Sequence, residues 1–194
     1  MPVTELNGRD ALTGRVRAYE VPQPYADAVW ERQTDWSSND VVYEWATIVG
    51  NLLNGTGLNY RIGGMYLEFD NGAGPIAAPT FDRTRSVDYY NNLIGTRDYL
   101  RVPLTAATLT SSDASLFPSG NKCTFFSRST GIAGVHGRAF GTGSIIFGAS
   151  LVAYVDSTDA TQDLILSSMY FGASDQQDKL STSQIGLEWE LTLQ

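Results

Sequence analysis

Few residues in this chain of 194 have the types and spacing that chemistry requires. The only histidine is His136 and the only cysteine is Cys123, which excludes H-E-x-x-H, multi-cysteine metal sites and an intramolecular disulfide. His136 lies in Gly134-Val135-His136-Gly137-Arg138, a glycine-flanked segment that reads as a loop. A Ser–His–Asp arrangement calls for a sharp nucleophile turn such as G-x-S-x-G. Gly141-Thr142-Gly143-Ser144-Ile145 has its glycines in another register, so His136 reads as a loop histidine. Cys123 stands in an apolar strand context and reads as a small hydrophobe.

Glu188 and Glu190 are the acid pair closest to a catalytic spacing. On one strand face they stand about 7 Å apart, within the range of about 5–9 Å that glycosidase carboxylates use. The same pattern marks the wet side of a terminal strand, which is the reading adopted. Asp156, Asp159 and Asp163 lack the D-x-[DN]-x-[DN]-G spacing and closing Glu of a calcium loop. No G-x-G-x-x-G or G-x-x-x-x-G-K-[ST] is present to cradle a phosphate. Tyr43, Tyr89, Tyr90 and Tyr99 are candidates for a ring surface that stacks on sugars, so a carbohydrate-binding β-sandwich is the alternative function. The chain is read as a non-enzyme with no cofactor and no metal.

The elements that must position these residues are mainly strands. Gln184 to Leu193 alternates, with Ile185, Leu187, Trp189, Leu191 and Leu193 on one face. Tyr60 to Phe69 alternates around Gly63-Gly64, with Met65, Leu67 and Phe69 inward; the glycines predict a bulge or a close backbone approach. Further strands are read over 98–104 (Leu100, Val102 and Leu104 inward, Pro103 at an edge), 123–126, 144–155 and 164–171. Over 144–155, Ile145, Phe147, Ala149 and Leu151 share one face. One amphipathic helix spans about 39–54: Ser38, Asn39 and Asp40 cap it, and Val41, Val42, Trp45, Ile48, Val49, Leu52 and Leu53 form one apolar face before Asn54-Gly55. A short helical turn is read over 87–93.

Residues 1–25 show neither period and read as an extended N-terminal arm on a single β-rich domain, 26–194. The architecture expected is a jelly-roll-like β-sandwich or a barrel. The net charge of −8 disfavours binding to nucleic acid or to an anionic membrane. No apolar run reaches the roughly 18–20 residues of a membrane-spanning helix, and the N-terminus lacks the pattern of a signal peptide. Residues 139–194 carry a net charge of −6, whereas the arm holds Arg9, Arg15 and Arg17. A basic arm can pair with an acidic sheet of a neighbouring copy. The interface residues expected are therefore Arg9, Arg15, Arg17, Tyr19, Trp30 and Trp36, in a homo-oligomer.

The segments Gly64-Met65-Tyr66-Leu67-Glu68-Phe69-Asp70-Asn71, Asp98-Tyr99-Leu100-Arg101-Val102-Pro103-Leu104, Thr161-Gln162-Asp163-Leu164 and Gln184-Ile185-Gly186-Leu187-Glu188-Trp189-Glu190-Leu191 give the chain a texture that resembles structural proteins of tailed bacteriophages. It is a likeness of short Gly- and Thr-rich strands spread over 60–194 rather than of one motif. The resemblance implies a β-sandwich that decorates a head, joins head to tail or serves in a tail. It implies capsid or tail proteins and the chain itself as partners, with assembly into virions in the host cytoplasm. No catalytic residues come with it.

Overall fold

The alternation of the last strand is the pattern that organises the molecule. In the computed structural model, Ile185, Leu187, Trp189 and Leu191 are all buried on one side of Ser183–Leu193, and Trp189 is the largest fully buried side chain among the described residues. The structure describes residues 12–22, 32–33, 37–38, 40–41, 44–54, 60–69, 98–128, 144–155, 162–172, 175–179 and 183–193. Among them are the strands β1 (Leu12–Pro22), β2 (Arg32–Gln33), β3 (Ser37–Ser38), β4 (Asp40–Val41), β5 (Arg61–Phe69), β6 (Asp98–Thr110), β7 (Lys122–Arg128), β8 (Ser144–Tyr154), β9 (Leu164–Tyr170), β10 (Gln177–Lys179) and β11 (Ser183–Leu193). The helix α1 is Glu44–Asn54.

Seven antiparallel strands, in the order β1-β11-β7-β6-β5-β8-β9, curl into a nearly closed barrel. An odd number leaves β1 and β9 running the same way, so they cannot complete an antiparallel ladder with each other. β3 and β4, one residue apart, run against both: Ser37 and Ser38 pair with β1, and Asp40 and Val41 pair with β9. One short segment thereby bridges the gap, as closure of a barrel requires. The interior is packed with Met65, Leu67, Phe69, Ile146, Leu151, Met169, Phe171 and Trp189.

Four sequence expectations change. Leu12–Pro22, read as part of an arm, is a strand paired along its whole length with β11, and Val16 and Ala18 lie in the core. Residues 1–11 and 23–25 of the expected arm lie outside the described residues. The helix starts at Glu44 rather than near residue 39, because the backbone of Asp40 and Val41 is taken up by Ser168 and Ser167 of β9. Its face is still directed inward: Ile48 is buried in the core and Trp45 packs against it. β6 runs six residues past the expected Leu104. On β8 a register shift between Gly148 and Ile146 inverts the phase, so Ile146 joins the core while Phe147 stacks on Tyr170 at 6.1 Å. The turn expected over 87–93 lies outside the described residues.

The glycine expectation at 63–64 is met in both its forms. The β5–β8 register shifts between Ile62 and Gly64. The ring of Tyr154 occupies the space that a Cβ on Gly63 would need. Every residue of β5 from Gly63 to Phe69 is buried, so this strand is covered on both faces.

Candidate functional site

Three places on the barrel combine charge, burial or exposure in a way that bears on function. The first is the outer face of β1, β11 and β7. Antiparallel register sets Arg15 opposite Glu190 and Arg17 opposite Glu188. Arg15 donates from Nε to Glu190 Oε1 at 2.8 Å and from Nη2 to Oε2 at 3.2 Å, while Lys122 Nζ stands 3.2 Å from Oε2. Arg17 Nε donates to Glu188 Oε2 at 2.8 Å. Burial on its own would raise the Glu190 carboxyl, but the hydrogen bonds and charges of Arg15 and Lys122 outweigh it and hold the pKa below the usual glutamate range. A general acid needs the opposite shift. The depression lined by Gly14, Arg15, Glu190 and Thr192 is open and measures about 90 Å³, against roughly 300–1,000 Å³ for small-molecule sites.

Two of the three arginines expected at an interface between copies, Arg15 and Arg17, are thus engaged by acids of the same chain. Tyr19 lies on β1 opposite Gly186 and Gln33. Arg9, Trp30 and Trp36 lie outside the described residues, as do His136, Asp156, Asp159, Tyr43, Tyr89 and Tyr90. Tyr99 is buried, its ring 5.0 Å from that of Tyr66, and so does not belong to an exposed ring surface. Cys123 is half-buried and packs against the core, and burial raises its thiol pKa.

The second place is a polar layer beneath the other face of β5. Arg101 Nε and Nη2 lie 2.8 Å from the two carboxylate oxygens of Asp163, with side chains 4% and 0% exposed. The Tyr66 hydroxyl donates to Asp163 Oδ2 at 2.6 Å, and the Arg101 guanidinium stacks 4.3 Å from the Tyr154 ring centre. Burial and then the Asp163 carboxylate push the Tyr66 pKa far above the usual tyrosine value. Ser150 and Ser168 hydroxyls meet at 2.6 Å on the neighbouring strands. Asp163, read from sequence with a loose acidic run, is committed to this pair. Among the described residues no group of three or more His, Cys, Asp or Glu is placed to hold a metal, and no helix is long and apolar enough to cross a membrane.

The third place is the β6–β7 hairpin, which the sequence reading missed. Residues 105–110 of β6 are all exposed. At the tip, Asp113 accepts from the Ser115 amide at 2.9 Å and from its hydroxyl at 2.6 Å, and its backbone oxygen accepts from the amides of Leu116 and Phe117. Gly120, at φ 94°, turns the chain back where a side chain would strike Leu109. Buried Asn121 then ties the hairpin to β11: its side-chain amide donates to the Leu193 oxygen at 2.6 Å, and its backbone oxygen accepts from the Leu193 amide at 2.9 Å. The exposed large hydrophobic residues among those described are Leu109 at 58%, Leu116 at 69% and Leu193 at 46%. All three lie at this end. The available signal was the run Leu104-Thr105-Ala106-Ala107-Thr108-Leu109-Thr110, uncharged and strand-prone beyond Pro103.

Comparison of the chain with protein-family models, with curated proteins and with solved structures finds no match.

Proposed function

We propose that this chain is a non-enzymatic structural protein of a bacteriophage virion, serving in head decoration, at the head–tail junction or in the tail. It works by contacts with copies of itself and with other virion proteins. The observation that carries this reading is the hairpin end, where Leu109, Leu116 and Leu193 are exposed together on a framework held by Asp113, Gly120 and Asn121. Exposed apolar side chains grouped at one end mark a surface that meets another protein. The ordered framework lowers the entropy lost on docking. The resemblance of the strand segments to tailed-phage structural proteins supplies the virion context.

The test is recovery with particles. Virions purified on a density gradient from cells expressing the chain are expected to contain it in fixed stoichiometry to the major capsid protein. Its absence from the particle band, with the chain left in the soluble fraction, would sink the reading.

A further inference from the structure

β6 changes partners at Pro103. From Asp98 to Pro103 it pairs with β5, and from Leu104 to Thr110 it pairs with β7. β5 departs there because the bulge at Gly63, with the Tyr154 ring packed against it, keeps Arg61 and Ile62 on β8. The distal half of β6 is therefore laddered on one side among the described residues, and Thr105 to Thr110 are exposed. A free strand edge presents backbone N–H and C=O groups to any strand that reaches it. Proteins that avoid edge pairing place lysine, proline or inward charges along such a strand. Leu104 to Ser112 holds no charged residue and no proline.

We infer that this edge pairs antiparallel with the same edge of a second copy, continuing the sheet across a two-fold axis. The inference rests on the assembly reading above and gives that assembly its first contact. Charge selects the occupant. Two chains of net charge −8 repel over most of their surfaces, whereas along 104–112 neither copy brings a charge toward the other. A two-fold sets one residue opposite itself and the others in reciprocal pairs, so the facing side chains are drawn from Leu, Thr and Ala. Thr–Thr and other uncharged cross-strand pairs of this kind are favourable. Such a contact is isologous and closes at two copies.

Sedimentation equilibrium of the full chain, from low to high micromolar, tests this with Thr108→Lys and Thr108→Glu. Thr108 is exposed, and its replacement places like charges near each other across the two-fold. Wild type is expected to form a dimer, and each variant alone to dimerise about tenfold more weakly or worse. An equimolar mixture of the two variants is expected to recover the dimer, which misfolded variants would not do. A wild type that stays monomeric throughout overturns the inference. So do variants that dimerise as wild type does, or a mixture that stays monomeric. Recovery with particles judges the assembly reading separately, so an oligomer that ignores Thr108 sinks this edge alone.

Discussion

The Arg101 guanidinium and the Asp163 carboxylate meet beneath β5 with two contacts of 2.8 Å, although 62 residues separate them in the chain. The pair joins β6 to the residue just before β9, and Tyr66 of β5 and Tyr154 of β8 close around it. Four consecutive staves of the barrel thus share one polar knot on the face opposite the apolar core.

Removing one partner of this pair leaves a buried charge uncompensated. Arg101→Leu is expected to cost about 3–5 kcal/mol, read as a shift of the urea midpoint. Tyr66→Phe removes one hydrogen bond to a charged acceptor and is expected to cost about 1.5–3 kcal/mol. A change below half a kilocalorie for both would show that the knot contributes no net stability.

Acid should loosen the β1–β11 seam. The Glu190 pKa lies below the ordinary glutamate value, so the carboxylate contributes stability that is fully present above that value and is lost as pH falls through the lower folded one. Urea midpoints of wild type are expected to hold from pH 7 to about pH 5 and to fall below the unfolded glutamate value of about 4.3. Glu190→Gln removes the titrating group, so its midpoint should be lower at pH 7 and fall less steeply. Parallel curves for the two proteins would exclude Glu190 as a source of the acid sensitivity.

Gly63→Ala places a methyl group where the Tyr154 ring lies. Overpacking of this kind costs about 1–3 kcal/mol. Combining it with Tyr154→Ala should relieve the clash, so the double variant is expected to be more stable than the sum of the single losses. Strict additivity in that cycle would place the cost elsewhere.

Deleting residues 1–22 removes β1 entirely, with its eleven register pairs to β11 and the buried side chains of Val16 and Ala18. Loss of the cooperative thermal transition is expected. A truncated chain that melts like the full one would mean that β1 is dispensable to the barrel.

The periodic elements were legible because their faces are set by local alternation. Leu187, Trp189 and Leu191 on β11 and Met65, Leu67 and Phe69 on β5 all face the core that the period of two implies. β1 was hidden because its inward side chains are small: Gly14, Val16 and Ala18 give little hydrophobic contrast against Arg15 and Arg17. The matching two-residue spacing of Arg15 and Arg17 with Glu188 and Glu190 was the usable signal. It takes on meaning only once the two strands are known to be neighbours.

By itself, the sequence determined that this is a β-rich chain with one amphipathic helix and a bulge or close backbone approach at Gly63-Gly64, because propensity, alternation and the lack of a Cβ act over a few residues. Tertiary structure alone decided where Asp40 pairs, which residue of β8 turns inward, and that Arg101 finds Asp163. It also decided that β5 leaves β6 at Pro103 and exposes the edge beyond. These outcomes depend on which strands become neighbours, and the free energy that selects neighbours comes from burial and ladder pairing summed over the nearly closed barrel rather than from any one segment.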